Sequence, residues 1–154
     1  MFVLRTATKS LGAIPANMKR IVIERGNPQA LAYLPVAILL GPEGAEKARM
    51  VLALVDTGAD HTVIHASILR ELMIHETGRQ LNFTGAGAFG TISSAWVRLG
   101  FTGVNDVGEH AALVNSKEIG VAESLSGEMV VGMDVLGCFD LSFQRSGRVE
   151  LTWD

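Results

Sequence analysis

Asp56 is the side chain placed most suggestively for chemistry. An apolar run, residues 51–55, ends in it, and Thr57, Gly58, Ala59 and Asp60 follow. A carboxylate carried by a buried strand into a loop of small residues can take a proton from water or, when protonated, give one to a reacting group. Gly58 removes the Cβ that would block close approach of a backbone or ligand. Thr57 can hold the loop through its hydroxyl. The same pattern also suits an aspartate that merely caps a turn.

Other groups invite chemical readings. His61 and His65 are four positions apart. There is no glutamate after His61 to make a zinc-binding helix motif, and the strand-like Thr62, Val63 and Ile64 separate the two. They read as solvated or hydrogen-bonded histidines, with no metal site. Cys138 reads as a small buried hydrophobe. Gly85, Ala86, Gly87, Ala88, Phe89 and Gly90 spell G-x-G-x-x-G. A dinucleotide loop needs a helix after it, yet residues 91–97 alternate like a strand. The segment fits a flexible hairpin tip, or a plain glycine-rich turn.

The elements that must position these groups are mostly strands. The chain has 154 residues, 48% hydrophobic and 19% charged, enough for one domain with a real core. A net charge of -3 gives no basic surplus for nucleic acid or an anionic membrane. One cysteine rules out an internal disulfide and a Cys-rich zinc site. Seventeen glycines and 6% aromatics suit short strands and many turns. The longest apolar run, residues 30–41, is too short to span a membrane and contains Pro35. It reads as a buried strand with a bulge or irregular start at that proline. No secretory apolar region follows the N-terminus, so a cytoplasmic location is expected, and the sequon at Asn82 is discounted.

Residues 1–20 lack periodicity and read as an arm, with a single domain over residues 21–154. Strands are expected at 21–24, 35–40, 50–55 and 110–114, and a short one at 129–131. Residues 41–47 form a polar hairpin loop, and residues 80–99 read as strand, glycine-rich turn, strand. Residues 66–73 predict a short amphipathic helix. Residues 139–143 and 148–153 flank Arg145, Ser146 and Gly147 as a terminal hairpin. Trp96 and Trp153 read as packing residues. The class is all-β with one or two short helices.

Asp56, Thr57, Gly58, Ala59 and Asp60, in their apolar setting, resemble the active-site loop of retropepsin-like aspartic proteases. Downstream, Val130, Val131, Gly132, Met133, Asp134, Val135, Leu136 and Gly137 resemble a second element of that family. There, two apolar residues and a glycine pass beneath the catalytic loop and a short helix follows. The resemblance covers residues 35–154 and implies a retropepsin-like acid protease barrel. It makes Asp56 catalytic, with Thr57 and Gly58 shaping its loop. Ala59, Asp60, Gly85, Ala86, Gly87 and Ala88 would line the substrate cleft, the last four in a flap hairpin. Val130, Val131 and Gly132 would lie under the loop, and residues 133–138 would be the helix. Retroviral members carry an arginine at the place of Met133, paired with the aspartate matching Asp60. The cellular and bacterial relatives, which often have an apolar residue and then Asp there, are the nearer match. Asp60 would then face substrate backbone or a cation such as Arg145 or Arg148.

The implied mechanism needs two carboxylates sharing one proton, since a pair about 3 Å apart cannot both ionise cheaply. The chain has a single Asp-Thr-Gly, so the second must come from another copy. The resemblance thus implies a homodimeric aspartic endopeptidase acting on peptide or protein substrates, without cofactor or metal. Residues 148–153 are expected at the dimer interface. The rivals are a non-catalytic dimeric peptide-binding module of the same fold, and an unrelated all-β interaction domain.

Overall fold

The computed structural model describes residues 18–42, 47–85 and 88–154. Most of the expected N-terminal arm, residues 43–46 of the polar loop, and Ala86 and Gly87 lie outside them. The described residues form ten strands and two short helices. In chain order these are β1 (Lys19–Ile23), β2 (Tyr33–Leu40), β3 (Lys47–Val55), β4 (Val63–His65), α1 (Ala66–Glu71), β5 (Glu76–Gly85), β6 (Ala88–Val104), β7 (His110–Ala122), β8 (Met129–Val131), α2 (Met133–Leu136), β9 (Asp140–Phe143) and β10 (Val149–Trp153).

Six strands close on themselves in the order β2, β3, β8, β4, β7, β6, with β6 returning to β2. The interior is built by period-two alternation. Leu34, Val36 and Ile38 of β2 point inward, as do Val51 and Ala53 of β3 and Ala95, Val97, Leu99 and Phe101 of β6. Ile68 and Leu69 of α1 and Val135 and Leu136 of α2 join the same core. Among the described residues no helix is long and apolar enough to cross a membrane.

Pro35 interrupts nothing. Pairing of β2 with β3 runs without a slip from Tyr33 opposite Leu54 to Leu40 opposite Lys47. The Val55 N–H donates to the Ala32 carbonyl at 2.9 Å. Alternation from that bond puts Pro35 among positions whose nitrogen faces away from β3. The pairing of β2 with β6 starts only at Ala37, so no ladder bond is missed there.

β7 extends well past the expected 110–114. Its polar residues Asn115, Ser116, Lys117 and Glu118 pair in register with β6, from Val104 opposite His110 to Ser93 opposite Val121. Ladder pairing outweighs the polar composition of that stretch.

β1, β10 and β9 extend the sheet beyond β6. β10 pairs along its length with β1, Lys19 opposite Trp153, and with β9, Val149 opposite Phe143. Both hydrogen-bonding edges of β10 are therefore filled within the chain. A second chain adding a strand to residues 148–153 would find no free backbone edge, and the outer edge belongs to β9.

Candidate active site

β3 carries Asp56 to the mouth of the barrel. β3 and β8 run parallel, Leu54 opposite Val130 and Val55 opposite Val131. The ladder continues one step further, the Asp56 N–H donating to the Val131 carbonyl at 3.1 Å. The chain then turns sharply. Asp56 Oδ1 accepts from the Gly58 N–H at 2.9 Å, and the Asp56 carbonyl accepts from the Ala59 N–H at 3.3 Å. A Cβ at Gly58 would lie 3.2 Å from Asp56 Oδ1, so the glycine leaves the carboxylate room. Thr57 and Gly58 are exposed, Asp56 is half-buried and Ala59 is buried.

Val130, Val131 and Gly132 pass directly against this loop. The Ala59 carbonyl accepts from the Met133 N–H at 2.8 Å, and the Asp60 carbonyl from the Asp134 N–H at 3.2 Å. A Cβ at Gly132 would stand 2.6 Å from the His61 carbonyl carbon and 2.9 Å from the Ala59 oxygen. Only glycine allows that approach.

The underside of the loop is held by a pair that sequence reasoning missed. Thr62 is fully buried. Its N–H and hydroxyl both donate to Asp134 Oδ1, at 2.9 and 2.7 Å. Its hydroxyl oxygen accepts from the Gly132 N–H at 3.1 Å. Asp134 lies in the first turn of α2, whose N-cap, Gly132, has no side chain to offer. A threonine in an apolar run is the only hint the sequence holds.

Asp60 is exposed, and among the described residues no ion pair reaches its carboxylate. Arg148 is engaged elsewhere, with Glu150 at 2.6 Å and Glu24 at 3.6 Å, and Arg145 is exposed to solvent. Neither arginine supplies the expected cation.

Asp56 opens onto a cavity of about 610 Å³. Gly58, Ala59 and His61 of the loop share its lining. Val63, Val130, Ala122 and Leu125 form apolar walls, and Ser124 adds a hydroxyl. Phe83 and Ile92 reach it from β5 and β6. The hairpin those strands form is therefore a roof, and no sequence signal distinguished its two cavity-lining residues from neighbouring ones. Gly85 and Ala88 form its outermost described pair.

The two histidines have separate surroundings. His65 caps α1, its Nδ1 accepting from the Ser67 N–H at 3.1 Å, while His61 lines the cavity. Among the described residues no three His, Cys, Asp or Glu side chains gather closely enough to hold a metal ion.

Two side chains sit differently from expectation. Cys138 is exposed, with Asn115 Nδ2 3.4 Å from its sulfur. α2 ends at Leu136 and its buried face is spent on Val135 and Leu136, so Cys138 falls outside it. Trp96 is 55% exposed because it alternates with the inward-facing Ala95 and Val97. Trp153 packs edge-on against Phe139, centroids 5.6 Å apart.

A six-stranded closed barrel, an Asp-Thr-Gly loop at its mouth and a hairpin over that loop define the retropepsin-like aspartic protease fold. The chain belongs to the family described as "gag-polyprotein putative aspartyl protease", whose model matches residues 46–138. Its structure is similar to the crystal structure of a retropepsin-like aspartic protease from Rickettsia conorii. The two share 15% identity and a TM-score of 0.55, over 88% of this chain and 92% of that chain. No curated protein matches the chain by sequence. Family and fold together indicate an aspartyl protease.

Proposed function

We propose that the protein is an aspartic endopeptidase that works as a homodimer, each chain contributing Asp56 to one dyad. The observation that supports this is the position of Asp56. It stands at the edge of an apolar cavity roofed by a hairpin, beside the exposed Thr57 and Gly58, with one such loop per chain. Residues 21–154 make up the catalytic domain.

In the dyad, one Asp56 is ionised and takes a proton from a water held between the carboxyls. The partner's Asp56 is protonated and donates to the scissile carbonyl oxygen. The resulting hydroxide adds to the carbonyl carbon. Collapse of the tetrahedral intermediate breaks the C–N bond: the amine nitrogen takes the proton held by the first Asp56, and one hydroxyl of the intermediate returns its proton to the partner's Asp56 as the carbonyl re-forms. Val63, Phe83, Ile92 and Val130 favour apolar side chains near that bond. Backbone groups of the β5–β6 hairpin and of residues 59–60 suit an extended peptide.

The test is cleavage of a peptide library between about pH 4 and 7, the range of a shared-proton dyad. Native protein and Asp56→Asn are compared over a range of concentrations. Activity that disappears in the variant and rises faster than linearly with protein concentration supports the reading. A dimer that binds peptides without cutting them would overturn it in favour of a peptide-binding module.

A further inference from the structure

The β5–β6 hairpin leaves the barrel at one defined place. β6 pairs with β7 as far as Ser93, opposite Val121. Beyond that residue, β6 is bonded to β5 alone. At the same point β5 is irregular. Glu76 faces Ala95 and Gln80 faces Ser93, so Thr77, Gly78 and Arg79 stand against Ser94 alone. Gly78 adopts a φ of 77°, which favours glycine.

Four residues close a ring through this bulge. The Arg79 N–H donates to Thr77 Oγ1 at 3.0 Å. Ser94, fully buried, donates its hydroxyl to Glu118 Oε1 at 2.7 Å. Its one proton is then used, so Thr77 donates across the 2.6 Å contact between the two hydroxyls. Glu118 Oε2 accepts from Arg79 Nη2 at 2.8 Å, which returns the ring to β5. Glu118 belongs to β7, a wall of the barrel, so it anchors the bulge to a fixed element.

We infer that the bulge at Thr77, Gly78 and Arg79 is the hinge of the hairpin, and that Glu118 is the positioning residue that sets its angle over the cleft. A two-stranded ribbon has little stability of its own, so its direction depends on what holds its base. Phe83 and Ile92 ride on the ribbon and line the cavity. Ile92 also seats on Gly120 of β7, where a Cβ would come within 2.1 Å of Ile92 Cδ1. Hinge and seat together place the roof against the wall that carries Glu118. Ring and bulge are geometric facts of one chain. Only the effect on peptide cleavage rests on the protease reading.

The experiment is hydrogen exchange on the native protein, Glu118→Gln and Arg79→Met. Glu118→Gln keeps an oxygen for Ser94 and loses the ionic link. Arg79→Met alters a side chain that is 62% exposed, so it removes the link without disturbing the core even where the first variant folds poorly. The ladder-bonded amides among residues 81–83 and 90–92 should exchange about tenfold faster in both variants, the loss of one charge-assisted hydrogen bond. Amides of β2 and β3 should keep their native rates. In peptide cleavage, KM should rise while kcat holds. Unchanged hairpin exchange in Arg79→Met would overturn the hinge assignment. So would equal acceleration in β2 and β3, which would mark the ring as general scaffolding.

Discussion

Thr62 and Asp134, 72 positions apart in the chain, are joined twice through one carboxylate oxygen, by the Thr62 N–H at 2.9 Å and its hydroxyl at 2.7 Å. The same hydroxyl accepts from Gly132, so one side chain links both halves of the Asp56 platform. Thr62→Val preserves shape but strips Asp134 of a donor and Gly132 of an acceptor. It should cost about 2–4 kcal/mol in a denaturant titration, the penalty for buried groups left unpaired. Thr62→Ser retains the hydroxyl and should cost about 1 kcal/mol or less.

Gly132→Ala should be worse tolerated than its size suggests. The new methyl would meet backbone atoms of His61 at 2.6 Å and of Ala59 at 2.9 Å, neither of which is the free end of a side chain. The loop must shift bodily, at a cost of about 2–4 kcal/mol. Denaturation and loss of peptide cleavage should appear together. Gly90→Ala, with nothing within 4 Å of its Cβ, is the control and should leave stability nearly unchanged.

Asp56→Asn should separate folding from function. The Asn oxygen can still accept from the Gly58 N–H, the contact made now at 2.9 Å. Stability of the chain should move by less than about 1 kcal/mol, while cleavage falls to background. A large loss of stability instead would mean that the carboxylate is chiefly a structural cap.

The two tryptophans should respond unequally to truncation. Trp153 lies edge-on to Phe139 at 5.6 Å, and Phe139 lies edge-on to Phe101 at 5.3 Å. Trp153→Ala should cost about 3 kcal/mol or more in a denaturant titration. Trp96 is 55% exposed, and Trp96→Ser should stay within about 0.5 kcal/mol.

Glu123 offers a test in pH. The Arg70 guanidinium, hydrogen-bonded to both of its oxygens, holds its carboxyl below the usual range. A carboxyl lowered on folding adds stability above its unfolded value and loses it as pH falls through the folded one. Arg70→Met should therefore be slightly less stable than native protein near neutrality. The gap should close in acid, below the ordinary glutamate value of about 4.3. The pair is exposed, 63% and 69%, so the gap is small and added salt narrows it. Denaturation midpoints at neutral and acid pH check both effects.

What could be read in advance was local. An apolar run, an aspartate and three small residues sit together around Asp56, and two valines with a glycine sit together before Met133. What could not be read depends on pairing over distance. Nothing beside Thr62 announces Asp134, and nothing beside Ser94 announces Thr77 or Glu118. β7 looked short because Asn115 to Glu118 are polar, although the β6 ladder absorbs them. Trp96 misled because aromatic character was weighed above the alternation of Ala95 and Val97, which turns it outward. Asp60 shows the limit of the family pattern: with Met133 in the place of the retroviral arginine, a cation such as Arg145 or Arg148 was one expectation, and neither pairs with it among the described residues.

The parallel pairing of β3 with β8 sets a schedule for synthesis. Val55 rests on Val131, and the Asp56 backbone on the Val131 carbonyl. A ribosome must therefore release residues up to α2 before the loop around Asp56 can take its shape. Every shorter nascent chain carries the aspartate on an unsupported turn, because contacts so distant in sequence form late. The loop around Asp56 thereby stays without its platform until the residues of α2 have been made.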